Sequence, residues 1–279
     1  MNGKQQYWRY IPLTLWALFV AFPLYWVAVT AFKDNGSIYS GARWLPWVDF
    51  KPTLSAWHDI LGGSNSVYAP IVHSLIIATV STLIALFFGA LAGYGLARFP
   101  MRFTFMRNND IAFWIVSQRI MPPVVVVLAF FIVYKNLQLL DTLLGMIIAY
   151  TGFSLPLTTW FMTSYFKQLP KDLEEAAYID GAGRLQTFLR VALPLVTPGL
   201  IATFLLAFSF AWNEFLFAVV LTSTNATTLP LVIAVQQGQL GTSWWNICAI
   251  SLVSIVPMVF FAIILQRRLV TGLLGGAVK

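Results

Sequence analysis

Six stretches of this sequence, at 11–32, 71–97, 111–134, 143–166, 199–221 and 247–269, reach or approach the roughly 20 apolar residues that a helix needs to cross a bilayer. Inside hydrocarbon every backbone N–H and C=O must be satisfied by the protein itself, which leaves helices and closed barrels. Barrel strands alternate in polarity over about 10 residues, and no segment here does so. With 59% hydrophobic and only 10% charged residues, the chain also has too little polar surface to cover a soluble globule. The expected class is all-α: a polytopic membrane protein with six transmembrane helices, forming one domain over residues 1–279.

Basic residues orient the spans, because loops rich in Lys and Arg stay on the cytoplasmic side. Placing the N-terminus inside puts Lys4, Arg9, Arg98, Arg102, Arg107, Lys167, Lys171, Arg184, Arg190, Arg267, Arg268 and Lys279 inside as well, against Lys33, Arg43, Lys51 and Lys135 outside. Both termini are then cytoplasmic, and the net charge of +7 is a topology signal rather than a nucleic-acid footprint. The first apolar stretch is longer than the core of a cleaved signal peptide, so it is expected to be a retained anchor. Cys248 is the single cysteine, which excludes an intrachain disulfide and a cysteine-based metal site. His58 and His73 have no His or Cys neighbour at ligand spacing, so no metal is expected.

Between the fourth and fifth stretches lies a cytoplasmic loop, 167–198, containing "EEAAYIDGAGRLQTFLRVALPLVTP" (174–198). Asp172, with Glu175 three residues on, has the spacing of a capping box, and Glu174 and Glu175 suit the positive end of the helix dipole. Leu173, Ala176 and Ala177 share a small, flat face at i, i+3 and i+4 spacing. Gly181 stands where a helix end needs a left-handed residue. Gly183 adds freedom before Arg184 restarts a helix with Leu185, Phe188, Leu189 and Ala192 on one side, and Pro194 and Pro198 end that pattern. An interfacial helix on lipid headgroups would carry basic residues and large apolar anchors. This one is acidic and alanine-rich, which favours docking against another protein.

Glu175-Ala176-Ala177, Asp180-Gly181-Ala182, Phe188, Leu193-Pro194 and Pro198 together resemble the "EAA" loop of binding-protein-dependent ATP-binding-cassette import permeases. The stretches "HSLIIATVSTLIALFFGALAGYGLARF" (73–99), "FAWNEFLFAVVLT" (210–222) and "QRRLVTGLLGGAVK" (266–279) resemble the carbohydrate-uptake branch, in its maltose-transporter-type second permease subunit. The resemblance implies a type I importer permease fold. It makes the loop a coupling helix, with Glu175, Ala176, Ala177, Asp180, Gly181, Ala182 and Gly183 as contact and hinge positions. It also implies a second, related permease, two ATPase subunits that bind ATP and Mg, an external solute-binding protein, and a neutral sugar, polyol or related osmolyte as cargo. The chain has no G-x-x-x-x-G-K-[ST] phosphate loop, so it is expected to hold no cofactor and to hydrolyse nothing itself.

Other function classes leave other marks. An ion-coupled secondary transporter or channel places ionisable residues along its spans, whereas only Arg119 and Glu214 fall clearly inside spans here. An intramembrane enzyme needs a motif such as H-E-x-x-H or G-x-S-x-G, and neither occurs. A purely structural membrane subunit is the remaining alternative. In the third stretch, "SQRIMPP" (117–123) puts Arg119 about 12 Å into a straight span, where a charge must face protein or water. Pro122 and Pro123 should break the helix beside it. Ser117, Gln118 and Arg119 are candidates to line a hydrophilic path; the alternative is a structural pair of Arg119 with Asn213 or Glu214. At the C-terminus, three glycines within 271–279 argue for a frayed tail, whereas the resemblance implies an extension from the sixth span between the ATPase subunits.

Overall fold

The computed structural model describes residues 4–63, 66–100, 102–103, 106–238 and 241–277. In chain order the helices are α1 (Lys4–Thr30), α2 (Asn35–Tyr39), α3 (Ser55–Gly62), α4 (Tyr68–Arg98), α5 (Asn108–Ser117), α6 (Pro123–Leu137), α7 (Leu143–Gln168), α8 (Asp172–Ile179), α9 (Arg184–Thr187), α10 (Leu193–Leu195), α11 (Thr197–Trp212), α12 (Leu216–Leu221), α13 (Leu229–Val235) and α14 (Trp244–Ala277). A 3₁₀ turn, Gln118–Ile120, follows α5, and a π-helical turn, Phe188–Ala192, joins α9 to α10. The fold is mostly helical, as expected. The exceptions among the described residues are an isolated bridge between Pro46 and Phe50 and two hairpins of two-residue strands, β1 (Arg102–Phe103) with β2 (Met106–Arg107) and β3 (Gln237–Gly238) with β4 (Gly241–Thr242).

Four helical stretches are long and apolar enough to cross a membrane alone: Tyr10–Thr30, Tyr68–Arg98, Leu143–Gln168 and Trp244–Gln266. The expected third and fifth spans are not single straight helices. The third is Asn108–Ile120 followed by Pro123–Leu137, bent by 85°. Pro122 and Pro123 lack the N–H groups that would continue the ladder, and Pro123 opens α6. In the fifth, α11 stops at Trp212 and α12 begins only at Leu216, so 199–221 is interrupted at Asn213–Phe215; upstream, Arg184–Leu195 meets Thr197–Trp212 at 75°. The last helix runs on through Ala277 despite its glycines, while 278 and 279 lie outside the described residues.

The chain packs as two units, residues 1–71 with 232–256 and residues 72–231 with 257–279. In the first unit, α1 exposes its apolar side chains along much of its length, Phe19 to 71%, as lipid contact requires. Beyond its end the buried Lys33 donates to the Arg43 carbonyl at 2.6 Å, with its ammonium 4.3 Å from the Trp26 ring centroid. Asp49 accepts from the N–H groups of Trp44 and Leu45, both at 2.8 Å, which closes the loop around that lysine.

In the second unit, α7 is the helix against which α4 and α11 pack. A Cβ on Gly93 would sit 2.7 Å from the Thr163 backbone nitrogen, and one on Gly199 would meet the Tyr165 ring at 2.5 Å. These small residues allow backbones to approach closely, the usual way membrane helices gain contact when lipid removes the hydrophobic drive between them. Thr158 adds a cross-helix bond, its hydroxyl donating to the Ala85 carbonyl at 2.8 Å. A buried cluster, Ala90, Tyr94, Met162, Phe166, Phe188, Ala192 and Val196, joins α4 and α7 to the 167–198 loop.

In the same unit the loop between α6 and α7 is pinned by Asp141, which adopts φ 56°. Its carboxylate accepts from the backbone N–H groups of Ser223, Thr224, Asn225 and Ala226 at 2.9 to 3.2 Å. Burial opposes its ionisation, but these donors outweigh burial and hold the carboxyl well below the usual carboxylate range. A depressed folded value gives stability that is present above the unfolded value of about 3.9 and lost as pH falls through the folded one. Asp141→Asn turns an amide NH₂ toward the same donors and should cost roughly 1–3 kcal/mol. In detergent its thermal midpoint should be lower than that of the unaltered protein at pH 7, with the gap closing in strong acid. Equal midpoints at pH 7 would contradict this assignment.

Candidate functional site

The 167–198 loop begins with α8. Lys171 precedes it with φ −67° and ψ −31°, already helical, and no side chain caps the helix. This corrects the expected capping box. An N-cap residue needs extended backbone to aim its oxygen at the first free N–H groups, and Asp172 lies one residue inside the helix. Asp172, Glu174 and Glu175 still crowd the first turn, where the dipole favours acids.

The C-terminal end follows expectation. Gly181 has φ 85°, its N–H donates to the Tyr178 carbonyl at 3.1 Å, and the Ala182 N–H donates to the Ala177 carbonyl at 2.9 Å. This is the paired bonding of a Schellman motif, with glycine in the left-handed position. Gly183 has an ordinary φ of −77° and starts α9 at Arg184. Leu173, Glu175, Ala176, Asp180 and Gly181 are exposed, Ala177 and Ala182 are half-buried, and Ile179 is 87% exposed. The small face of α8 is therefore uncovered.

The expected one-sided helix after Arg184 is corrected. Phe188 and Ala192 are buried, but Leu185 and Leu189 are 66% and 50% exposed. The π-helical turn over Phe188–Ala192 widens the helix by one residue per turn, so Phe188, Ala192 and Val196 face the core while Leu185 and Leu189 rotate away.

A group that charge counting did not single out anchors this loop. Glu174 is 4% exposed; its Oε1 accepts from Arg98 Nε at 2.7 Å and its Oε2 from the Tyr94 hydroxyl at 2.8 Å. Arg98 Nη2 also donates to the Leu169 carbonyl at 3.0 Å. In the sequence Arg98 counted only toward topology and Glu174 only toward the dipole. A pair separated by 76 positions leaves no local signal.

The second set of candidates lies at the broken third span. Gln118 and Arg119 line a cavity of about 240 Å³ together with Met121, Val126, Phe130, Phe153 and Phe217. The Arg119 guanidinium carbon sits 4.6 Å from the Phe153 centroid and 4.9 Å from that of Phe210, and its Nη1 is buried without a hydrogen-bond partner. The other candidates do not line this cavity. The Ser117 hydroxyl donates to the Trp114 carbonyl at 2.7 Å, and Asn213 Nδ2 to the Ser209 carbonyl at 2.8 Å. Glu214 receives the Phe217 N–H at 3.0 Å and so caps the start of α12 instead of pairing with Arg119. Because the span is bent, a straight-helix count from Ile111 does not measure the depth of Arg119.

The model of the family described as binding-protein-dependent transport system inner membrane component matches residues 85–273. The trehalose/maltose transport system permease protein MalG of Thermococcus litoralis is 34% identical over 268 residues, covering 95% of this chain and 94% of that protein. The diacetylchitobiose uptake system permease protein DasC of Streptomyces coelicolor is 34% identical over 279 residues, covering 98% and 96%. The fold is similar to that in the crystal structure of a bacterial ABC transporter involved in the import of the acidic polysaccharide alginate, with a TM-score of 0.71 at 20% identity over 96% of this chain and 98% of that one. The chain belongs to the binding-protein-dependent transport system inner membrane components and is a multi-pass permease subunit of the prokaryotic inner membrane.

Proposed function

We propose that this permease works in an ATP-driven importer of a neutral sugar, polyol or related osmolyte. In this reading six spans, the third and fifth broken, form a single permease domain with both termini in the cytoplasm, and line the translocation path with a second permease. Two ATPase subunits bind ATP and Mg, and an external binding protein delivers the solute. The chain carries no catalytic group of its own. α8 is the coupling helix, with Glu175, Ala176 and Ala177 as contacts and Asp180, Gly181, Ala182 and Gly183 as its hinge. Gln118 and Arg119 meet the solute in their cavity, with Ser117, Asn213 and Glu214 along the same path.

The observation that carries this reading is α8 itself, an eight-residue helix whose small face is uncovered and whose end is fixed by Gly181. Beyond the buried Glu174, the exposed face of this helix meets nothing of its own chain, and its acidic first turn disfavours anionic lipid. The names of the sugar-uptake relatives support the solute class.

The test is reconstitution with the partner permease, ATPase subunits and binding protein in proteoliposomes, using radiolabelled trehalose, maltose and diacetylchitobiose as probes. Accumulation of at least one probe is expected, dependent on internal ATP and lost when the ATPase subunits are omitted. Accumulation driven by an ion gradient alone would overturn the reading.

A further inference from the structure

We infer that Arg98, Glu174 and Tyr94 form a strut that makes the inner end of α4 follow the movements of α8, and so act as positioning residues of the transport cycle. The inference rests on the reading of α8 as the helix that meets the ATPase. Glu174 is the only buried residue of α8. The large apolar side chains beside it, Leu173, Tyr178 and Ile179, are 45%, 39% and 87% exposed. Large apolar side chains therefore contribute little to holding this helix, and Glu174 is the buried side chain that ties it to α4.

The attachment is stiff and multiply bonded. Both carboxylate oxygens are used, one by Arg98 at 2.7 Å and one by Tyr94 at 2.8 Å, and charge-assisted bonds of this length are the stronger kind. Tyr94 and Arg98 lie four residues apart, on one face of α4. The remaining Arg98 bond, to the Leu169 carbonyl, brings in the end of α7. The Tyr94 ring packs 5.3 Å from Phe166 and 4.8 Å from Phe188, centroid to centroid, so the joint is also seated in the buried aromatic cluster.

The side chains of the pair are 7% and 5% exposed, too enclosed for salt to screen them as it screens surface charges. Buried ion pairs are poor sources of net stability, because desolvation offsets their attraction. Their best-attested use is to fix one geometry against its neighbours. Here that geometry joins a cytoplasmic helix to a membrane helix, while the far end of α8 is closed by its own bonds at Gly181 and Ala182.

The experiment uses the whole complex with partner permease and ATPase subunits in nanodiscs. Cys248 is replaced by alanine, and an environment-sensitive fluorophore is placed at Leu91→Cys, on the exposed side of α4. The signal change on adding ATP, Mg and vanadate is expected to fall about tenfold, within the usual range of coupling between sites, in E174Q and in R98M. Both variants should retain their ATPase subunits and ATP hydrolysis. R98M/E174Q should be no worse than either single variant, because partners in one bonded unit do not add. A signal of unaltered size in both single variants overturns the inference, as does a loss that accompanies departure of the ATPase subunits. Ala177→Arg, run beside them, separates the two readings: if it loses the signal and they do not, only the strut falls; if it keeps the signal too, docking of α8 falls with it.

Discussion

ATP-driven uptake is expected to vanish in Gly181→Val while the protein still inserts and folds. The left-handed φ of 85° costs a β-branched residue about 1–2 kcal/mol. Nothing lies within 4 Å of where the new Cβ would stand, so no clash adds to that. The penalty is instead relieved by rotating the backbone, which breaks the bonds from Gly181 to Tyr178 and from Ala182 to Ala177 and redirects the chain leaving α8. A small local energy thus becomes a large displacement of the contact surface. Ala177→Arg attacks the same surface by bulk and charge on a face made of small residues. In both variants the measured quantities are membrane yield, co-purification of the ATPase and ATP-dependent accumulation in proteoliposomes. Yield near that of the unaltered protein with uptake below a tenth of its rate is expected, the size of effect seen when a required geometry is lost. Unaltered uptake in both variants would show that α8 does not dock.

How much of this was legible in the sequence varies with the range of the forces involved. Gly181 was readable because a helix end creates a local demand for positive φ, which glycine meets at least cost. The break at Pro122–Pro123 was readable because it follows from covalent structure. The interruption after Trp212 was not: no proline marks it, and it depends on Glu214 turning back to the Phe217 N–H. The capping box failed for a related reason. Its spacing was right, but Lys171 had already entered the helix. The burial of Glu174 was wholly hidden, since a glutamate in the first turn of a short helix looks solvated until α4 supplies Tyr94 and Arg98. Sequence spacing marked the α8 face that is proposed to dock, but what holds α8 to α4 and α7 is tertiary.

Replacing Arg119 is expected to impair uptake at least about tenfold, and the sign of the stability effect of Arg119→Met separates its two roles. Burying a cation carries a cost unless a partner charge or hydrogen bonds compensate it. Here that cost is not offset by an acid, since Glu214 is engaged at α12 and Nη1 has no hydrogen-bond partner. The rings of Phe153 and Phe210 return part of it through cation–π attraction. Removing one member of an ion pair would strand the other charge, but removing Arg119 strands nothing. Arg119→Met, which fills the space with a flexible apolar chain, should therefore raise or preserve the thermal midpoint in detergent. Arg119→Ala should lower it slightly by leaving a gap between the rings. If the guanidinium serves the solute, both variants assemble with their partners, hydrolyse ATP at the basal rate and accumulate solute poorly. If it is structural, Arg119→Met loses thermal stability and assembly together, and that pairing of outcomes would remove Arg119 from the translocation path.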